Sequence, residues 1–451
     1  MSATDFAPVP VLPGLAPDPE HLVPSLPEVH ATVRLSRSPQ YWRRLLGFLG
    51  PGFLISVGYM DPGNWATDIA GGSRFGYTLL FVIMASNLMA ILLQSLSLKL
   101  GVATERDLAQ LCHQSYKPWV SYALWAGAEI AIAACDLAEV IGSAIALNLL
   151  FHIPLIYGVL ITGLDVLLIL LMQRWGFRYV EALVIALIGT IIALFGVQLF
   201  FSRPEYWPIF KNLIVPSASI VTNPDMLYIA IGMLGATVMP HNLYLHSSIV
   251  QSRRYKRTPE GKREAIFMAN IDSALALTVA LFVNAAILVV AAAVFNRSGH
   301  FEVAAIQDAY KLLSPLVGAA GASTIFAIAL LASGQNSSIT GTLAGQVVME
   351  GFIHLKVSPW LRRLITRSLA IIPTIIVVAI TGERGTEKLL LLSQVILSLQ
   401  LSFAVVPLVI FTGSREKMGE FVNGRWLQGL SWFVAALIAG LNGWFLVLMF
   451  K

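Results

Sequence analysis

The sequence predicts an all-α polytopic membrane protein, on three observations. Hydrophobic residues make up 57% of the 451-residue chain and charged residues only 12%, proportions outside those of a soluble globule. The apolar residues gather into runs of about 20 residues or more, the length that crosses a bilayer core as a helix. Eleven such runs can be counted, and two of them are interrupted near mid-span by a proline. The first ten divide into two sets of five, and because five is odd the second set begins on the opposite side of the membrane. The expected architecture is therefore two inverted five-helix repeats plus an eleventh helix.

In chain order, residues 1–40 are rich in Pro, Ser, Glu and His without apolar periodicity, so they read as a flexible cytoplasmic N-terminal tail. No signal peptide is expected, since the first apolar run comes late and many more follow it. The membrane domain is 41–451, with repeat one at 46–201, repeat two at 226–412 and the extra helix at 427–450. Span one covers 46–72 and breaks at Asp61; span two runs 77–100 and span three 119–149. Spans four (154–173) and five (179–201) are joined by the basic turn Arg174-Trp175-Gly176-Phe177-Arg178. A polar loop, 202–225, holds four prolines and is expected to cover one mouth of the protein. Span six (226–251) breaks at Met239, and spans seven to eleven fall at 266–295, 316–354, 359–381, 386–412 and 427–450.

With the N-terminus in the cytoplasm, this topology puts 22 of the 30 basic residues on the inner side and 8 on the outer. That is the positive-inside bias of a cell (inner or plasma) membrane protein, and it leaves the C-terminus extracytoplasmic. The net charge of +5 is accounted for by these short loops, so no nucleic-acid partner is implied. Cys112 and Cys135 fall in a loop and a span and make no disulfide framework.

The chemistry gathers at the two interruptions. In Tyr59-Met60-Asp61-Pro62-Gly63-Asn64-Trp65, Pro62 lacks a backbone N–H and Gly63 disfavours helix, so carbonyls are left open beside an ionisable group at membrane depth. Such groups persist only where they line an enclosed cavity or hold a ligand. Gly232-Met233-Leu234-Gly235-Ala236-Thr237-Val238-Met239-Pro240-His241-Asn242 repeats the pattern in span six. Paired broken helices in two halves mark the central site of secondary transporters. Asp61 supplies a hard anionic oxygen, Asn64 an amide oxygen, and the backbone near Gly58 and Ala236 carbonyls, all suited to divalent cations. Met239 discriminates among them: a thioether gives little to Mg²⁺ or Ca²⁺ but suits Mn²⁺, Fe²⁺, Co²⁺ and Cd²⁺. A lone Met in an apolar span is usually a packing residue; its place before the helix-breaking Pro240, opposite an Asp, argues for a ligand.

Titratable groups recur on span three. Glu129, Asp136 and Glu139 stand at i, i+7 and i+10, on one side of a helix. Arg367 in span nine is a candidate partner, and His241 a candidate proton relay. The plainer reading of this set is a static hydrogen-bonded network tying spans together. His246 and Asp165 have weaker claims, His246 being off the face of His241. The Ser/Thr/Asn/Gln run in span eight suits either a water-filled lining or interhelical hydrogen bonds.

Asp61-Pro62-Gly63-Asn64 and Met239-Pro240-His241-Asn242 resemble the two signature motifs of the Nramp (natural resistance-associated macrophage protein) family. Gly334-Gln335-Asn336-Ser337-Ser338-Ile339-Thr340-Gly341-Thr342 with Gly345-Gln346, and Thr366-Arg367-Ser368, extend the match from about residue 45 to the end. The resemblance is strongest to bacterial proton-coupled manganese transporters. It implies a leucine-transporter-like fold, a metal held by Asp61, Asn64, Met239 and the Ala236 carbonyl, Gln394 closing on the metal in some states, and pairing of the span-three carboxylates with Arg367. Trp65 stands for a more frequent Phe and Asn336 for a more frequent Ser, neither a ligand.

The expected activity is secondary active import of divalent metal, Mn²⁺ foremost, with protons, by alternating access. A bundle containing spans one and six would rock against spans three, four, eight and nine. The protein is expected to be a monomer with no cofactor other than its cargo, and not an enzyme, since no H-E-x-x-H or Gly-x-Ser-x-Gly lies in a span. The alternatives are a sodium-coupled organic-solute carrier of the same fold, where a soft Met and central Asp are out of place, and a passive channel, which needs rings of charge or carbonyls.

Overall fold

The computed structural model describes residues 24–35, 40–163, 177–303, 305–318, 321–353, 359–381 and 384–449. Helices occupy every stretch read as a span. Span one is an α-helix over Pro51–Ser56, tightens to a 3-10 turn over Val57–Met60, breaks at Asp61 and resumes over Pro62–Phe75. Spans two and three are single helices, Leu80–Thr104 and Pro118–Phe151. Span four is described over Leu155–Thr162, and span five over Phe177–Ser202. Asp165 and most of the basic turn lie outside the described residues. Span six divides into Pro224–Thr237 and Pro240–Ile249. Spans seven to eleven are Pro259–Ala291, Ala322–Ile353, Pro359–Thr381, Arg384–Gly413 and Arg425–Met449.

Both breaks have one local cause. A residue preceding proline is pushed out of the α region by the proline ring, and Asp61 (φ −70°, ψ 167°) and Met239 (φ −74°, ψ 124°) are extended for that reason. Pro62 and Pro240 then start the next helix at its first position, where a missing N–H costs nothing.

Spans five apart in sequence order pack together: the second half of span one against the first half of span six, span two along span seven, and span three along span eight. This is the pairing an inverted repeat generates. Span six also crosses span two so closely that a Cβ added at Gly101 would lie 2.0 Å from the Ser247 carbonyl oxygen. The loop 202–225 is not irregular. It forms helices Tyr206–Ile214 and Ser219–Thr222, and the first lies on span two with Tyr206, Trp207 and Phe210 exposed. Such aromatics suit the headgroup level of a bilayer.

The expectation of a free tail over residues 1–40 needs correction. Residues 24–35 form a strap folded against the face where spans two, six and eight end. Leu26, Val29 and Val33 are buried in the main core, and Val33–Arg34 pairs as a parallel strand with Arg253–Arg254 after span six. Three apolar side chains at i, i+3 and i+7 give this short segment one face to bury, which its polar composition hid. On the same face, the buried Arg253 pairs with Glu181 at 2.5 Å and donates to the Phe48 and Leu49 carbonyls, while Asp272 accepts from the Gly50 and Gly52 amides. The start of span one is thus clamped by spans five, six and seven.

The contact at Gly101 makes a direct prediction. Gly101→Ala must push spans two and six apart or distort one of them, and should cost about 1–3 kcal/mol, as overpacking does. A lowered thermal-unfolding midpoint in detergent would register it; an unchanged midpoint would mean that the two helices separate freely.

Candidate metal site

Four successive carbonyls lie at the break in span one, and side chains from other spans catch two of them. Asn284 of span seven donates to the Tyr59 carbonyl at 2.7 Å. Met60 accepts from Ser333 of span eight (2.5 Å) and from the Trp65 indole (3.2 Å). Within span one, the Asp61 carbonyl accepts from the Trp65 amide at 3.2 Å. The fourth carbonyl, of Gly58, turns inward to the amide of Asn64 at 3.3 Å.

That amide is the centre of the site. Asn64 Nδ2 lies 2.8 Å from Asp61 Oδ1, 3.0 Å from the Ala236 carbonyl and 3.3 Å from the Gly58 carbonyl. Asp61 also caps its helix, Oδ1 accepting from the Asn64 amide N–H at 2.8 Å, while Oδ2 is buried without a hydrogen-bond partner among the described residues. Three oxygens from both broken spans thus converge on one small, positively polarised group. Asn64 Oδ1 points away, to Asn284 at 3.3 Å, so the oxygen expected as a ligand is turned outward and the nitrogen faces its neighbours.

Met239 completes the surround from span six. A Cβ added at Gly58 would lie 3.2 Å from the Met239 sulfur, and the Met239 side chain packs in a cluster with Ala131 and Cys135 of span three and Leu397 of span ten. Gln394 of span ten closes over span one: a Cβ at Gly63 would fall 1.9 Å from its Nε2. Its Nε2 donates to Ser393 and its Oε1 has no partner among the described residues. Asp61, Asn64, Ala236, Met239 and Gln394 are each at most 1% exposed, so the site is sealed on both sides. The larger side chain at Trp65 fills space against Phe195 and Phe326, at ring-centroid distances of 4.9 and 5.2 Å, and Asn336 donates to the Val184 carbonyl of span five.

The span-three carboxylates divide into two places. Asp136 and Glu139 converge where Gly341 of span eight leaves room: a Cβ there would lie 3.1 Å from Asp136 Oδ1 and 3.0 Å from Glu139 Oε1. Ser337 donates to Glu139 at 2.8 Å, and Cys135 lies 3.7 Å from the same oxygen. His241 is buried, and neither ring nitrogen has a hydrogen-bond partner among the described residues. Cys135 therefore touches both the Met239 cluster and the carboxylate pair. Glu129 stands apart, about 10 Å along the helix from Asp136, half-buried and bonded to the Trp125 indole at 3.2 Å. Arg367 lies on the span-nine helix, and its side chain is outside the described residues.

Sequence reasoning missed three buried groups. Asn284 bonds Asn64 from a position 220 residues away, and no motif marks it. His246 is not idle: its Nδ1 meets Gln94 Oε1 at 2.9 Å, and Gln94 Nε2 donates to the Tyr59 hydroxyl at 2.8 Å, a relay from span six to the break in span one. Asp68, two turns beyond Asp61 on nearly the same helix face, is 2% exposed, and its spacing of seven residues was the available signal.

Among the described residues, no three His, Cys, Asp or Glu side chains cluster as for a resident metal ion. One carboxylate, an amide, two carbonyls and a thioether make a weak, mixed donor set, chemically fit for a divalent cation that binds and leaves.

The family description "Natural resistance-associated macrophage protein-like" matches residues 52–448. The divalent metal cation transporter MntH of Nostoc sp. is 62% identical over 424 residues, 94% of this chain and 96% of that one. The MntH of Listeria innocua is 60% identical over 419 residues, 93% of each chain. Among solved structures, the Eremococcus coleocola manganese transporter, in complex with an aromatic bis-isothiourea substituted compound, superposes with a TM-score of 0.86 at 44% identity. The match covers 92% of this chain and 89% of that one. Mhp1, a nucleobase-cation-symport-1 family transporter in a closed conformation, shares the fold alone, with a TM-score of 0.58 at 14% identity over 89% and 91% of the two chains. The chain is a membrane transporter of leucine-transporter-like fold, not an enzyme, and belongs to the Nramp family of divalent metal transporters.

Proposed function

We propose that this protein imports divalent transition-metal ions, Mn²⁺ foremost and also Fe²⁺, Co²⁺ and Cd²⁺, together with protons by alternating access. It would act as a monomer in the cell membrane, with the N-terminus and strap face cytoplasmic. The names of its relatives support metal transport. One observation carries the reading of the site: Asn64 Nδ2 occupies the point where Asp61 Oδ1 and the Gly58 and Ala236 carbonyls converge, beside the Met239 sulfur. Three oxygens around a polarised N–H group are the surround a cation asks for. When a cation arrives, Asn64 turns its amide over and presents Oδ1, the cation takes over the bonds that Nδ2 gives up, and Asp61 Oδ2 gains a partner.

Asp61 must be deprotonated to ligate, so metal and proton compete for it. A proton released there would find buried acceptors in Asp136 and Glu139, reached past Met239 and Cys135, and His241 is a further buried candidate. Glu129 is two turns further along span three and would receive the proton later, and Arg367 would steady the charged carboxylates. A sodium-coupled carrier of organic solutes fits less well. The site holds no space for a carbon skeleton, a Cβ at Gly58 alone lying 2.3 Å from Asn242.

Uptake into proteoliposomes tests this reading. Wild-type protein should take up Mn²⁺ and exclude Mg²⁺ and Ca²⁺; Met239→Ala should admit Mg²⁺ and Ca²⁺, and unchanged selectivity would remove the thioether from the mechanism. For the proton route, a pH-sensitive dye inside the vesicles provides the readout. Asp136→Asn should abolish most pH-linked uptake while metal affinity by calorimetry shifts less than about ten-fold, 1.4 kcal/mol. Equal losses in both would favour a static network.

A further inference from the structure

The strap of residues 24–35 touches two parts of the protein that alternating access must separate. On one side it holds the end of span six. The Ala31 amide donates to the Gln251 carbonyl at 3.0 Å, Arg254 Nε donates to the Ala31 carbonyl at 2.6 Å, and Val33–Arg34 pairs with Arg253–Arg254. Arg257 adds a contact of 3.3 Å to His30 Nε2. Burial and that guanidinium hold His30 below its ordinary value, leaving the ring neutral and able to accept.

On the other side the strap grips the frame. Gln346 of span eight donates to Glu28 at 2.8 Å, and Ser25 donates to the buried Asp107 carboxylate at 2.6 Å. Asp107 caps the helix Leu108–Ser115 that connects spans two and three, and this connector is itself docked on span eight, a Cβ at Gly351 lying 2.6 Å from Ala109 Cβ. Leu26, Val29 and Val33 are buried, and Leu26 and Val29 line a small cavity together with Asp107 and Gln110 on the frame side and Ser248 and Gln251 of span six. Moving span six away from span eight must therefore pull the strap off one of them, exposing three apolar side chains and breaking at least one set of hydrogen bonds.

We propose that residues 24–35 are a latch that holds the strap face closed and must release one partner before the metal site can open toward that face. The proposal rests on the alternating-access reading, and it adds a device outside the metal site that weights the two conformations. A latch of this kind raises the share of protein closed on the strap face and so raises apparent affinity for metal from the opposite side.

Hydrogen exchange of the full-length protein in detergent tests the latch without requiring transport. The readout is the start of span one, residues 51–60, which shares no hydrogen bond with the strap among the described residues but must move if the face opens. Removing residues 1–23, which leaves the strap intact, should change nothing there. Removing residues 1–35, or substituting Val29→Asp, should speed exchange at 51–60 by about ten-fold. Glu28→Ala, a mild change that leaves the core intact, should speed it by about three-fold. In vesicles the chain lacking residues 1–35 should show a KM for external Mn²⁺ raised by a similar factor. If exchange rises only at 250–257, where the strap is bound, and stays unchanged at 51–60, the strap is a local cover and the latch is refuted. A wild-type protein that moves no Mn²⁺ would instead refute the proposed function while leaving the exchange result to decide the latch.

Discussion

Everything near the centre of this protein follows from the rule that backbone groups within a bilayer must find partners inside the protein. Two prolines open two helices, and the carbonyls set free are met one by one: Tyr59 by Asn284, Met60 by Ser333 and Trp65, Gly58 and Ala236 by Asn64. Three of these links, from Asn284, from Ser333 and from Asn64 to Ala236, tie span one to another span. The breaks are thus anchored positions in the fold and not loose hinges. The last two carbonyls share their partner with a carboxylate, which turns a satisfied backbone into a candidate site for a cation.

How much of this was legible in sequence depends on the range of the interaction. The broken spans are written locally, because a pre-proline residue is extended whatever surrounds it, and Asp61 and Met239 are both pre-proline. The spans themselves follow from length and hydropathy, which need no tertiary context. Asn284 and Ser333 were invisible because their roles depend on contacts 220 and more residues apart. Glu129 was grouped with Asp136 and Glu139 by helical phase alone; phase fixes the direction of a side chain but not how far along the axis its partner lies. The strap was misread for the opposite reason. Its composition is that of a disordered tail, and only three apolar residues, docked into a seam made elsewhere, hold it.

The donor set also explains how such a site can be both selective and reversible. In the sealed arrangement Asn64 satisfies three of the oxygens that a cation would satisfy, while Asp61 Oδ2 and Gln394 Oε1 have no partner among the described residues. Met239 takes no part in that hydrogen-bonded network; its side chain packs in a cluster with Ala131, Cys135 and Leu397. On the proposed reading, discrimination by the thioether would therefore be independent of that network. A carboxylate-rich cage would hold any divalent ion more tightly, and would leave like charges facing one another once the ion departed.

On the proposed reading, a bound cation would weight the inward and outward arrangements by no more than its difference in affinity for the two states. Contacts that differ between the states would add to that weighting, and the strap face supplies candidates. Arg253 with Glu181 and the Asp272 clamp hold the start of span one, and the strap spans the seam beside them. On the proposed reading, centre and periphery would divide the work: the broken spans would choose the ion, and the face that carries the strap would set how readily the protein opens to deliver it.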